Sequence, residues 1–93
     1  MNKYGYSDNK DSIKKRLNRA EGQVRGVSRM VDEDKYCIDI VTQITATQAA
    51  LDKVAMELLR DHTKNCLANA KTKTEQTKKA DEIIDVVNRM LSR

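Results

Sequence analysis

Apolar residues recur along the first third of the chain at alternating intervals of four and three positions. The pattern lies within the stretch "DSIKKRLNRAEGQVRGVSRMV". Such spacing places one apolar stripe along an amphipathic helix, which we predict from about residue 11 to residue 31. The stripe residues are Ile13, Leu17, Ala20, Val24, Val27 and Val31.

A second stripe with the same spacing follows the polar run "DEDKY". It predicts a helix from about residue 35 to at least residue 63, because no glycine or proline interrupts it. Its residues are Cys37, Val41, Ile44, Gln48, Leu51, Ala55, Leu58 and His62. The polar segment "LANAKTKTEQTKKADE" is predicted to be a frayed or broken helix, and "ADEIIDVVNRML" is predicted to be a short third helix.

The pattern therefore predicts an all-α chain of three helices. No internal repeat or boundary divides it, so residues 1–93 are predicted to form a single domain, with residues 1–10 disordered. The composition agrees, since 93 residues with Gly 3, Pro 0, Trp 0 and Phe 0 offer few turns and few large core residues. Such helices cannot enclose a core of their own, so we expect a bundle built from two or more chains.

Charge is unevenly distributed along the chain, although the formal net charge is only +4. Residues 1–30 hold eight Lys or Arg against three Asp or Glu, whereas residues 31–62 hold three against seven. A basic first third is typical of a protein that binds a polyanion such as DNA, although Lys and Arg also simply solvate helix faces. No membrane span or signal peptide is evident, so the expected compartment is the cytosol.

The stretch "RDHTKNC" suggests metal chemistry, because His62 and Cys66 lie four residues apart and share one helix face. Cys37 lies on the same stripe and is the natural third ligand. About 25 residues of helix separate it from His62, which corresponds to nearly 38 Å, so the three side chains cannot meet within one chain. The alternative is that Cys37 is a small buried hydrophobe and His62 a surface residue near a helix end.

Two antiparallel copies of the second helix would close the site. Cys37 of one chain then meets the His62 end of the other, and the two-fold axis crosses near residues 49–51. Ala46, Ala49 and Ala50 are small enough to allow close helix approach there. Two thiolates and one imidazole suit Cu(I), whereas Zn(II) would need a fourth ligand, and Ni(II) or Co(II) more nitrogen or oxygen donors.

The stretch "RLNRAEGQVRGVSRMVDEDKYCIDIVTQITATQAALDKVAMELLRDHTKNC" resembles the copper-sensing repressor family CsoR, grouped with the sensors RcnR and FrmR. The resemblance covers nearly the whole chain after about residue 10. It implies antiparallel helical dimers that pair into tetramers, without a helix-turn-helix. It also implies a Cu(I) site made by Cys37 of one protomer with His62 and Cys66 of the other.

The same resemblance assigns further roles. Tyr36 and Glu82 match residues thought to couple the liganded histidine to DNA affinity. The residues matching DNA contacts in the family are Lys15, Arg16, Arg19 and Lys53. The nickel/cobalt branch adds a histidine near the N-terminus and the formaldehyde branch a proline, and this chain has neither.

The resemblance implies a repressor and not an enzyme. The metal-free form is expected to bind operator DNA of copper-export genes as a homodimer or homotetramer, and Cu(I), which a copper chaperone could deliver, to release it. The alternative is a persulfide or thiol sensor, in which Cys37 and Cys66 of opposing protomers join through sulfur.

Overall fold

The computed structural model describes residues 5–92, and for Ser7 the backbone alone. A short 3-10 helix, Ser7–Asn9, precedes three α-helices: α1 Lys10–Asp32, α2 Cys37–Asn69 and α3 Lys73–Leu91. No strand occurs within residues 5–92, and the predicted all-α class with three helices is confirmed. Among the described residues, no helix combines the length and apolar character that a membrane crossing requires.

The polar segment between the second and third helices is more ordered than the prediction of a frayed or broken helix. Helix α2 continues to Asn69, and α3 begins at Lys73. A capping box starts α3: the Glu75 amide donates to Thr72 Oγ1 at 3.1 Å, and the Lys71 amide donates to Glu75 Oε2 at 2.8 Å. The predicted break is confirmed at residues 70–72, whereas the third helix begins at Lys73 and not near Ala80, because the Thr-x-x-Glu pattern caps a helix in spite of its polar composition.

Helix α1 ends in a tight left-handed turn. The Lys35 amide donates to the Met30 carbonyl at 2.9 Å and the Asp34 amide donates to the Val31 carbonyl at 3.1 Å. Asp34 has a φ of 55°, in the left-handed region that a short polar side chain tolerates better than a β-branched one. The turn satisfies carbonyls at the end of α1 and reverses the chain directly into α2.

The chain divides into two compact units, and α2 contributes to both. The first, here called the hairpin unit, is Asp11–Ala55 and contains α1 with the first part of α2. The second, here called the terminal unit, combines the residues up to Lys10 with the chain from Met56 onward. That residues 1–93 form a single domain stays a prediction, and residues 1–4 of the segment predicted to be disordered lie outside the described residues.

The hairpin unit buries few side chains. They are seven positions apart on each helix: Ile13 and Ala20 on α1, Thr47 and Val54 on α2. Seven residues make about two helical turns, so each pair lies on one side of its helix. The Thr47 hydroxyl is satisfied locally, because it donates to the Gln43 carbonyl at 2.9 Å.

Most of the two predicted apolar stripes remains exposed in the hairpin unit. We call these side chains the open apolar residues: Leu17, Val24, Val31, Val41, Ile44 and Leu51. Their exposed fractions range from 40% at Ile44 to 57% at Val31. Burying six such side chains would contribute on the order of 10 kcal/mol, at about 1.5–3 kcal/mol each before discounting their present burial.

The terminal unit is held by one face of α3. Ile83, Val86, Val87 and Met90 are half-buried, as positions three and four apart on one helix face should be. Three residues, Ala70 to Thr72, connect α2 to α3, and a connection this short makes the two helices antiparallel neighbours. The arrangement brings α3 beside the last turns of α2, where His62 and Cys66 lie.

Candidate metal centre

The terminal unit holds the side chains of His62 and Cys66 together. Both belong to uninterrupted α2, and the four-residue spacing puts their side chains one above the other. Cys66 Sγ lies 3.3 Å from His62 Nε2. A metal about 2.0 Å from nitrogen and about 2.3 Å from sulfur spans such a separation at an angle close to 100°. The pair therefore fits two donors to a single soft metal ion.

Glu82 approaches the same imidazole from α3. Its Oε1 atom lies 4.0 Å from His62 Nε2, which is longer than a hydrogen bond. The histidine side chain is 25% exposed and that of Glu82 is 60% exposed, so the carboxylate stands at the solvent edge of the site. A small movement of α3 or of the Glu82 side chain would bring the two groups into hydrogen-bonding contact.

One nitrogen of His62 therefore faces both neighbours. A carboxylate that supports a liganded histidine accepts from the ring nitrogen that points away from the metal, whereas Nε2 here lies next to Cys66 Sγ as well as near Glu82. A turn of the ring that directs Nδ1 to the metal would leave Nε2–H for Glu82. The structure thus places Nε2 where it could serve as a metal donor beside Cys66, whereas a hydrogen bond from the liganded ring to Glu82 would require the ring to turn.

An open cleft of about 290 Å³ adjoins the histidine, lined by Tyr6, Leu58, Leu59 and His62. Leu58 and Leu59 come from the turn of α2 that precedes His62, and Tyr6 comes from the N-terminal segment. Sequence reasoning missed Tyr6, because nothing in "YGYSDN" shows which surface the segment would contact. Apolar side chains therefore flank one side of the imidazole.

Two contacts hold the N-terminal segment on α2. Asn9 Nδ2 donates to Asp61 Oδ2 at 3.1 Å. Gly5 has a φ of +90°, and a Cβ at this position would lie 2.6 Å from both the Asp61 carbonyl oxygen and Asn65 Cβ. The segment passes so close to α2 that only a residue without a side chain fits at Gly5.

The predicted ligand Cys37 and its neighbour Tyr36 belong to the hairpin unit, whereas the predicted ligands His62 and Cys66 belong to the terminal unit. Cys37 is the first residue of α2 and is exposed. The Tyr36 carbonyl accepts from the amides of Asp39 and Ile40, at 3.0 and 3.2 Å, and these hydrogen bonds begin helix α2. The Tyr36 side chain is 68% exposed. Within residues 5–92, no three His, Cys, Asp or Glu side chains gather to hold a metal ion.

Comparison with known proteins places this arrangement in a family. A sequence model described as a metal-sensitive transcriptional repressor matches residues 9–89. The chain belongs to this family of repressors. The resemblance noted from the motifs is thereby confirmed.

Named relatives of this repressor include copper sensors. The copper-sensing transcriptional repressor RicR of Mycobacterium tuberculosis (strain ATCC 25618 / H37Rv) is 54% identical over 67 residues, covering 72% of this chain and 70% of the relative. The copper-sensing transcriptional repressor CsoR of Bacillus subtilis (strain 168) is 48% identical over 80 residues, covering 86% and 79%.

A solved structure also resembles this repressor. The copper-sensing repressor CsoR with Cu(I) from Geobacillus thermodenitrificans NG80-2 superposes with a TM-score of 0.77 at 44% sequence identity. The match covers 91% of this chain and 88% of that chain. Similarity of this extent confirms the helical architecture.

The residues of this repressor that are predicted to contact DNA all lie in the hairpin unit. Lys15, Arg16 and Arg19 are exposed on α1, and Lys53 is exposed on α2. Ile13 and Ala20 are buried and Lys15 and Arg19 are exposed, as the opposite sides of an amphipathic helix should be. The predicted basic side of α1 is therefore accessible to a partner.

We expect Gly5→Ala to release the N-terminal segment from α2, because the added Cβ meets the Asp61 carbonyl and the positive φ is strained for alanine. Amide hydrogen exchange at residues 6–10 should become faster by about tenfold or more, since local opening sets that rate. Lys14→Ala, an exposed change on α1 beyond the measured segment, is the control and should leave exchange unchanged. Unaltered exchange in Gly5→Ala would show that the close contact does not hold the segment.

Proposed function

We propose that this repressor responds to Cu(I): the metal-free protein binds operator DNA of copper-export genes, and Cu(I) releases it. The observation that carries the proposal is the His62–Cys66 pair, with its imidazole nitrogen 3.3 Å from the thiol sulfur. One imidazole with thiolates is a donor set that suits Cu(I). The copper-sensing relatives and the resemblance to a Cu(I)-containing structure support the same metal.

The third donor in this proposal is Cys37 of a second protomer. The open apolar residues support an antiparallel dimer, because a single hairpin leaves them in water. Ala46 and Ala49 are exposed on α2 near its proposed crossing point, where small side chains allow close approach. Such a dimer carries two identical sites, and pairing of dimers into a tetramer follows the family arrangement.

Glu82 and Tyr36 are proposed to transmit the metal signal. Glu82 lies 4.0 Å from His62 Nε2 and is held on α3, a separate helix. If the ring turned so that His62 held the metal through Nδ1, Nε2–H would be free to donate to the Glu82 carboxylate, which would fix the ring and draw α3 toward α2. The exposed Tyr36 ring precedes Cys37 and would pack beside the ligands of the partner subunit.

DNA binding is proposed for the basic side of the hairpin unit, with Lys15, Arg16, Arg19 and Lys53 contacting phosphates. Affinity that rests on phosphate contacts falls steeply with added salt. Linkage requires that Cu(I) bind the free protein more tightly than the DNA-bound protein, by the factor that it lowers DNA affinity. A repressor of this kind acts in the cytoplasm, where a copper chaperone could supply the ion, and no enzymatic step is proposed.

Cu(I) should lower the affinity of the protein for a duplex enriched from a random pool by the metal-free form. We expect a loss of at least about tenfold in an anaerobic gel-shift titration, with Cu(I) buffered by a competing chelator. His62→Ala should abolish the copper response and leave metal-free DNA binding intact. A His62→Ala protein that still responds to persulfide would favour the thiol-sensor alternative, and unchanged DNA affinity on copper saturation would reject the copper proposal.

Mixing protomers tests whether the metal site joins two chains. Cys37→Ala and Cys66→Ala should each lose tight Cu(I) binding alone. A heterodimer of the two should regain one intact site, because one pairing joins the native Cys37 of one chain to the native Cys66 of the other. The measurement is Cu(I) stoichiometry under chelator competition. Full stoichiometry in either single variant would exclude the inter-chain site.

Glu82→Gln and Tyr36→Phe should separate metal binding from DNA release. Tight Cu(I) binding should be retained, because neither residue is a proposed ligand, and loss of the hydrogen-bond partner of a liganded histidine lowers metal affinity by about 10- to 100-fold without removing a ligand. The copper-induced loss of DNA affinity should fall by about tenfold or more. Asp85→Asn, on the next turn of α3, is the matched control. A variant that releases DNA as the unmodified protein does would remove that residue from the proposed relay.

A further inference from the structure

Helix α1 repeats the pattern Gly-x-x-Arg, first at Gly22 and Arg25 and then at Gly26 and Arg29. The two arginines take similar positions relative to these glycines. Nη2 of Arg25 lies 3.7 Å from the place that a Cβ of Gly22 would occupy, and Nη2 of Arg29 lies 3.9 Å from the corresponding place at Gly26. Each guanidinium thus lies against the helix over a position that has no side chain.

Packing inside the chain does not require either glycine. A Cβ at Gly22 or Gly26 would make only an ordinary van der Waals contact, with the flexible end of an arginine. Neither residue has a positive φ, and both lie in the interior of α1, where glycine is less favourable than alanine. The two glycines therefore weaken the helix without any contact among residues 5–92 that explains them.

The glycines lie on the basic side of α1. At about 100° per residue, Gly22 and Gly26 share a side with Lys15, Arg19 and Arg29, roughly opposite the buried side of the helix. From Lys15 to Arg29 this side spans about 21 Å of helix. The backbone at the two glycines is thus covered only by the flexible ends of Arg25 and Arg29, and an anionic strand can approach it closely once these ends turn toward the strand.

We propose that Arg25 and Arg29 are two further phosphate-binding residues of this repressor, positioned along α1 by Gly22 and Gly26. The ligand is the phosphodiester backbone of double-stranded DNA, so the proposal rests on the proposed DNA-binding function. Glycine leaves room for the sugar–phosphate chain to lie against the helix. The guanidinium groups on either side donate charge-assisted hydrogen bonds to its oxygens.

Arg25 is engaged before DNA binds. It forms an i,i+4 ion pair with Glu21, and both side chains are mostly exposed, at 64% and 68%. An exposed pair of this kind is weak, and a phosphate competes for the same guanidinium. Arg29 forms no ion pair with the residues that the structure describes. Since it has no such partner to give up, Arg29 is expected to contribute more to DNA binding than Arg25.

Fluorescence anisotropy with a labelled duplex of about 30 base pairs tests the proposal, because phosphate contacts are largely independent of base sequence. Gly22→Ala/Gly26→Ala should weaken binding by about fivefold or more while the thermal midpoint stays equal or rises by a few degrees. Arg29→Gln should weaken binding and lower the slope of log affinity against log salt by about one. A rise in stability together with a loss of affinity separates DNA contact from a packing role.

Two controls match these variants. Ser28→Ala changes an exposed residue on another side of α1, and Lys35→Gln removes one positive charge in the turn after α1; both should bind DNA as the unmodified protein does. Full DNA affinity in the glycine and Arg29 variants would overturn this inference and leave the proposed DNA-binding function standing. A changed oligomer mass in sedimentation, or lost helicity in the glycine variants, would assign the glycines to packing and overturn it also. Absence of DNA binding by the unmodified protein would reject the proposed function together with the inference.

Discussion

A shortage of buried apolar side chains is the constraint on which the rest of this protein depends. Within the described residues, the buried hydrophobic side chains are Ile13, Ala20 and Val54, and each of them keeps a few per cent of its surface exposed. Since burial of apolar surface is the main favourable contribution to folding, a single chain of this kind has little to stabilise it. Association would bury the open apolar residues and so add to the stability of the fold. Assembly and folding are therefore expected to be coupled.

Because assembly and folding are expected to be coupled, a metal bound at the proposed site would influence how the helices of two protomers pack. His62 and Cys66 are brought together by the spacing of one helix, so they need no partner to be in place. A third donor from a second chain would make the metal a cross-link between protomers. Its binding energy would then favour one packing of the helices over another, which is how a ligand shifts a conformational equilibrium. A ligand pair that sat wholly on one rigid helix would have no such differential effect.

The terminal unit adds two elements that can respond to the histidine. Helix α3 presents Glu82 at 4.0 Å from the imidazole, close but not bonded. The N-terminal segment also lies near His62: Tyr6 and His62 line the same cleft, and Gly5 lies against the Asp61 carbonyl. Both elements contact the last turns of α2, so metal binding at the proposed site could alter their packing.

Much of this protein can be read from the sequence, because its order is local. The 4-3 spacing of apolar residues gives the first two helices within a few residues, and the spacing of His62 and Cys66 places both on one face of α2. The start of α3 was equally local, since a Thr-x-x-Glu capping box sets it, but the polar composition obscured it. Hydrogen bonds and spacings within one turn of a helix need no knowledge of the rest of the fold.

Only the tertiary structure decided which side chains of the stripes are buried and what surrounds His62. Thr47, a polar residue outside the predicted stripe, is buried, while Leu17 and Val24 on the stripe are exposed. The contact of Gly5 with Asp61 and Asn65 joins positions more than 50 residues apart, and no periodicity encodes it. Such contacts depend on how the helices pack and on which distant segments of the chain meet. A pattern along the sequence shows only which helix faces are available for packing.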